Sequence, residues 1–273
     1  MSDSTAAAND VLSRIDPTFN RLKDCRHGRL LYNHHDIFVG RSLDLYGEYS
    51  EAEFHLFDEL LNAGDGVVEV GANIGSLTVP LARKVGNTGG VFAFEPQRLC
   101  FQTLCANVAL NSLINVWAYN VACGQTTGSV RVPLLNPSID HNFGQLAVAG
   151  QQQGDFIACI PLDSFGIPKC RLLKVDVEGM ELDVLRGATQ LISRFQPAIY
   201  VENDRPEKSD ELIQHIQSLN YELYWHRPAL FNPNNFLNNP DNIFGTIVSL
   251  NMLCVPRSAN PHIEGLEPVQ RVG

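Results

Sequence analysis

One feature constrains this chain more than any other: short apolar runs alternate with amphipathic segments of helical period. VVEVG (67–71) reads as a buried strand, and IGSLTVPLARKV (74–85) follows as a helix. GGVFAFEP (89–96) is a second strand, QRLCFQTLCANVALN (97–111) a second helix, and NVWAYNVACG (115–124) a third strand. Apolar runs this short with helices between them predict parallel strands joined by crossovers. The expected fold is therefore a doubly wound α/β sheet. The rhythm resumes at RLLKVDV (171–177), then MELDVLRGATQLISRF as a helix. PAIYVEN (197–203), the helix KSDELIQHIQSLN (208–220), YELYWHR (221–227) and SLNMLCVP (249–256) complete the set.

Around this core lie less regular segments. Residues 1–50 read as a mixed polar N-terminal extension, and EAEFHLFDELLNA (51–63) as a helix carrying Phe54, Phe57, Leu60 and Leu61 on one face. Residues 125–160 hold one edge strand, GSVRVPLL, and then a long Gly-, Asn- and Gln-rich loop. A loop of that length inside a compact domain is usually functional. The expected organisation is an extension over 1–50, one domain over 51–256 and a tail over 257–273.

Composition narrows the function. Thirty Asp and Glu against 20 Lys and Arg give a formal charge of −10. A protein built to grip nucleic acid needs concentrated basic charge, so no nucleic-acid partner is expected. No run of about 18 apolar residues appears, so no membrane span is predicted. The start, MSDSTAAAND, lacks the pattern of a secretory signal. Seven scattered cysteines without a CxxC pair read as buried thiols of a reducing compartment, which places the chain in the cytoplasm. The eight histidines show no HxH or HExxH spacing, so no dedicated metal site is predicted.

The strand-to-helix turn EVGANIGS carries the first chemical signal. Gly71 and Gly75 let the backbone approach a ligand closely, and the following helix start offers free N–H groups. A dinucleotide fingerprint needs a third glycine for its pyrophosphate, and here Asn73 stands between only two. That pattern suits a nucleoside ligand without phosphate, such as S-adenosylmethionine. Glu69 is placed to accept from an ammonium, and the Asn73 amide to bind a carboxylate. Glu95 ends the second strand about 20 residues on, where such folds carry an acid that accepts from both ribose hydroxyls. Val121 and Ala122, at the end of the third strand, fall beside the base.

These blocks together, EVGANIGSLTVPLA, AFEP, LLKVDVEGMELDVLRGA, PAIYVEN and SLNMLCVP, resemble those of FkbM-type methyltransferases. GRSLDLYGEYSEAE resembles the segment that precedes the first strand there. The resemblance spans roughly residues 27–256. It implies a class I, Rossmann-like sheet of seven strands with the last antiparallel. It also implies S-adenosylmethionine-dependent O-methylation of a hydroxyl on a sugar, glycan or natural product. Glu69 stands where the family's first strand usually has aspartate.

The fourth strand, LLKVDVEG, ends in charge. Its carboxyl end faces the crevice where open α/β sheets bind ligands, and alternation puts Lys174, Asp176 and Glu178 on one face. Glu202, at the end of the next strand, is expected to neighbour them. Methyl transfer to an alcohol requires alignment and removal of the hydroxyl proton. Asp176 is the first candidate base, followed by Glu178, His141 and His226, with Lys174 held by the carboxylates. Asp176, Glu202 and Asn203 offer hard oxygens to Mg²⁺, but without a diagnostic spacing, so magnesium is left possible and not predicted. DHNFG (140–144) and WHRPALFNPNNF (225–236) read as lids over the crevice. Asn142, Asn232, Asn251 and Glu202 are the expected acceptor contacts, and Asn251, an amide in an apolar strand, needs a buried partner. A nucleotide-binding dehydrogenase, or a binding protein on the same scaffold, is the alternative. A homo-oligomer is left open by the length of residues 1–50.

Overall fold

The structure, a computed structural model, describes residues 18–144, 153–259 and 263–270. The expected chain start (1–17), the middle of the long loop (145–152) and parts of the tail (260–262, 271–273) lie outside the described residues.

Five parallel strands form the spine: β3 (Gly66–Val70), β4 (Gly90–Phe94), β5 (Val116–Tyr119), β9 (Leu172–Val175) and β10 (Ala198–Glu202). Between β5 and β9 run β6 (Ala122–Cys123), β7 (Gly128–Val132) and β8 (Asp155–Ile160), which form a separate three-stranded sheet. β12 (Asn251–Pro256) enters antiparallel between β10 and β11 (Tyr221–His226). The spatial order is β5-β4-β3-β9-β10-β12-β11, with the two-residue β13 (Glu267–Pro268) added on the outer edge of β11. This is the expected class I, Rossmann-like sheet with its antiparallel strand, extended by one short edge strand.

Every residue of β3, β4 and β9 is buried, which is why these strands read as near-continuous apolar runs. One face packs Val68, Val70, Leu173, Val175, Ile199 and Val201 against α5 (Glu181–Arg186), α6 (Thr189–Phe195) and α7 (Pro206–Ser218). The other packs Val67, Leu172, Ala198 and Tyr200 against α2 (Glu51–Leu60), α3 (Thr78–Val85) and α4 (Arg98–Leu110). Phe57 of α2 meets Tyr200 edge-on at 4.8 Å. No helix among the described residues is long and apolar enough to cross a membrane.

Several expected elements are shorter or divided. The strand expected over 115–124 stops at Tyr119, because the Asn120 amide donates to the carbonyls of Glu95 (2.8 Å) and Pro96 (3.1 Å) and the chain leaves the sheet. The helix expected after the fourth strand is two helices. They part at Gly187, where a Cβ would come within 2.1 Å of the Gly124 carbonyl oxygen. Asp163 then caps the second by accepting from Gln190 and Leu191 N–H, each at 2.9 Å. The fourth strand ends at Val175, so Asp176 and Val177, expected inside it, lie just past it.

Residues 20–46 of the extension are ordered. β1 (Asn20–Cys25) and β2 (Gly28–Asn33) make a hairpin, followed by α1 (Val39–Tyr46). Buried Asn107 of α4 stitches the hairpin to the core: it accepts from Leu31 N–H at 2.7 Å and donates to the carbonyls of Leu31 (3.0 Å) and Ile74 (2.8 Å).

Candidate functional site

A cavity of about 310 Å³ opens at the carboxyl ends of β3, β4, β9 and β10. Sheet register explains its floor. Glu69, Lys174 and Tyr200 are paired neighbours across β3, β9 and β10, on the face toward α2. Two residues further along each strand, Gly71, Asp176 and Glu202 reach the cavity. The pleat thus stacks one polar row behind another at the end of an apolar sheet.

Lys174 is 2% exposed, and its Nζ donates to Asp176 Oδ2 at 2.8 Å. Burial alone would lower the Lys174 pKa, but the carboxylates of Asp176, Glu69 and Glu53 outweigh it and raise it, so the amine stays charged. Asp176 itself is open, with 46% of its side chain exposed. The sequence placed Glu178 on the same strand face. The strand has ended before it, at Val175, and Glu178, next to Gly179 at φ +83°, accepts from Arg205 Nη2 beside the start of α7. Burial lifts Glu178 to about 7 while Arg205 holds it down. Glu202 is driven well above the usual carboxylate range by burial and by Asp176, Asp204 and Glu178, and its buried Oε2 has no partner among the described residues.

The glycine turn is tightly built. Gly71 has φ +83°, and a Cβ there would lie 1.8 Å from the Asp176 carbonyl oxygen. Only glycine lets β3 and β9 end this close together. Asn73 also adopts a positive φ, +50°, a conformation asparagine tolerates. Glu95 holds this turn: its Oε2 accepts from Asn73 N–H at 2.8 Å and its Oε1 from Gln97 N–H at 2.7 Å. Glu69 Oε2 accepts from Thr78 Oγ1 at 2.6 Å. Burial raises both Glu69 and Glu95 to about 7.

Of the residues named from sequence, Glu69, Gly71, Asn73, Glu95, Ala122, Asn142, Lys174, Asp176, Glu178, Glu202 and Asn251 line this cavity. Gly75 closes the turn behind it at φ +84°, with Leu104 in the place of any side chain. Val121 packs into the main core, and its neighbours Ala122 and Cys123 face the cavity instead. His226 pairs through Nδ1 with the Tyr200 hydroxyl at 2.8 Å, and burial lowers its pKa. His141 is exposed, held by backbone bonds to His35 and Ile37, while the next three residues turn inward. Asn232 donates to Glu48 Oε1 at 2.7 Å and lines a separate cavity of about 240 Å³ between the α1–α2 turn and residues 229–233. Asn203, a candidate oxygen for Mg²⁺, donates its amide to Ser209 Oγ. Among the described residues no three His, Cys, Asp or Glu side chains converge on a metal-sized point.

The buried partner of Asn251 is Glu53 Oε1, at 3.2 Å. Glu53, Tyr49 and Gln97 also line the cavity and were not picked out from the sequence. A polar residue on the apolar face of the 51–63 helix was the available signal for Glu53.

Residues 69–223 match the Methyltransferase FkbM domain. Two curated fungal proteins are similar over part of the chain. "Methyltransferase 1" of Beauveria bassiana (strain ARSEF 2860) is 28% identical over 147 residues, 44% of this chain and 57% of that protein. "Methyltransferase sdnD" of Sordaria araneosa is 28% identical over 158 residues, 45% of this chain and 60% of that protein. The chain thus spans somewhat over half the length of these relatives. Among solved structures, an FkbM methyltransferase from Methylobacillus flagellatus KT is similar over 71% of this chain and 44% of that one. It has 21% identity and a TM-score of 0.49.

Proposed function

The chain belongs to the FkbM methyltransferase family, and we propose that it is an S-adenosylmethionine-dependent O-methyltransferase acting on a hydroxyl of a sugar, glycan or natural product. The residues present suit that cofactor. The turn at Gly71 and Asn73 would take its amino-acid end, Glu95 its ribose hydroxyls, and Ala122 and Cys123 the adenine. Glu69 and Asp176 suit a ligand carrying an ammonium and a sulfonium. A pyrophosphate would meet the same acids with Lys174 the sole Lys or Arg among the described residues lining the cavity, which disfavours a dinucleotide.

When bound, the cofactor supplies a methyl group already activated on sulfonium sulfur. The chain's task is to aim the acceptor oxygen and take its proton as the C–O bond forms. Asp176 is the base this reading selects. It lines the cavity, its side chain is open, and Lys174 fixes Oδ2 at 2.8 Å. Lys174 stays protonated and serves as the anchor of Asp176. Glu178 is engaged by Arg205, Glu202 is pushed toward its protonated form by burial and its acidic neighbours, and His226 is turned to Tyr200. The observation that carries the proposal is this open carboxylate, fixed by a buried ammonium at the end of β9 and beside the Gly71 turn.

Titration with S-adenosylhomocysteine, followed by transfer of labelled methyl to a panel of hydroxylated acceptors, tests it. Binding in the micromolar range and transfer to oxygen are expected; no binding up to about 1 mM would sink the proposal.

A further inference from the structure

One buried acid at this site has no task in that mechanism. Glu53 is 5% exposed, belongs to the first turn of α2 and lines the cavity. Lys174 already has Asp176 at 2.8 Å and Glu69 as its neighbour across β3, two carboxylates for one ammonium. A third acid is therefore surplus to charge balance, and surplus buried charge costs stability. Burial raises Glu53 to about 7, with Lys174 and the Asn251 amide opposing and Asp176 and Glu69 assisting. Such a cost in a cavity wall is a mark of use.

Position says what the use is. Glu53 and Asn251 lie outside residues 69–223 and come from α2 and β12, apart from the end of β4, where Glu95 holds the glycine turn after β3. Around them the cavity is walled by Tyr49, Leu230, Ser249 and Leu250, the side left for the acceptor. Asn251 donates to Oε1 at 3.2 Å and so orients the carboxyl group.

We propose that Glu53, oriented by Asn251, binds the acceptor by accepting a hydrogen bond from a second hydroxyl near the one that Asp176 deprotonates. The substrate class is then a diol or polyol, and an acceptor with a single isolated hydroxyl is a poor one. This rests on the methyltransferase reading of the same cavity.

Glu53→Gln tests it in three measurements. Melting needs no ligand. A carboxyl group with a raised folded-state pKa favours the fold when protonated, and that contribution is lost as pH rises from its unfolded value near 4.5 through about 7. Glu53→Gln should therefore melt at or above wild type, by a margin that widens toward about pH 8. A variant that melts well below wild type, or fails to fold, would make Glu53 a structural counter-ion and overturn the proposal. Titration with S-adenosylhomocysteine should agree with wild type within about twofold; a loss of about tenfold would move Glu53 to the cofactor and also overturn it. With p-nitrophenyl β-glucoside and its monodeoxy analogues as probes, the variant's KM should rise about tenfold. Wild type should lose a similar factor on the analogue lacking the second hydroxyl, and unchanged values in both would overturn the proposal. If wild type binds no S-adenosylhomocysteine, the methyltransferase reading fails, while the melting comparison still judges whether Glu53 is surplus to the fold.

Discussion

The two ends of the cavity are built in different ways. The end with Glu69, Gly71, Asn73, Glu95 and Asp176 comes from three adjacent parallel strands, β4, β3 and β9, whose register fixes Glu69 and the strand ends from which the other four follow. The end with Glu53, Leu230 and Asn251 comes from a helix start, a loop and an antiparallel strand. Its loop over 229–248 is anchored by distant contacts. Buried Glu48 takes bonds from Arg26, Asn232 and Phe236 N–H, and the Tyr46 hydroxyl donates to the Asp241 carbonyl at 2.7 Å. At the lip of this end Ile247 and Val248 are 46% and 42% exposed. On the proposed reading, strand ends would give one ligand a rigid seat. Loops pinned by a few side chains allow the other seat to change without disturbing the sheet.

Breaking the rigid end should therefore cost most. Gly71→Val puts a branched side chain where a single Cβ already falls 1.8 Å from the Asp176 carbonyl oxygen, at a φ that β-branched residues avoid. The expected result is loss of S-adenosylhomocysteine binding by about 100-fold or more, or failure to fold, read by titration beside circular dichroism. Binding within about threefold of wild type would mean that the turn is not the cofactor seat. At the junction of the two ends, Asp176→Asn keeps shape and removes the proposed base. Turnover should fall about 100-fold or more while S-adenosylhomocysteine affinity is largely kept. A variant as active as wild type would leave Asp176 as no more than the anchor of Lys174.

The same contrast sets what could be read from the sequence. The spine was legible because strands buried on both faces are apolar along their whole length, and the helices between them keep a clear period. Glu69, Gly71 and Glu95 were legible because register ties residue spacing to place. Glu53 was not, since its meaning depends on Asn251, 198 positions away. Asn251 announced its need for a partner, and only the packing of α2 over the sheet names that partner. The turn of Glu178 toward Arg205 was hidden for a related reason. Alternation holds only while the strand lasts, and β9 stops at Val175. Asn120, whose side chain ends β5 early, lies within a run that otherwise reads as continuous strand.

The smallest effects are expected where sequence suggested a candidate base or an acceptor contact and the structure points elsewhere. His141 is exposed and fixed by its backbone, so His141→Ala should change turnover by less than about twofold. Asn232→Ala removes a hydrogen bond to a buried carboxylate. It should cost about 1–3 kcal/mol of stability, measured by denaturant unfolding, while acceptor KM moves less than about threefold. The comparison is sharpest if that second expectation fails. The cavity that Asn232 lines shares Tyr49, Ser50 and Leu230 with the larger one. An acceptor long enough to pass those three residues would reach Asn232 from the far side. A KM raised about tenfold by Asn232→Ala, with turnover kept, would extend the acceptor seat into the second cavity and make loop 229–233 part of it.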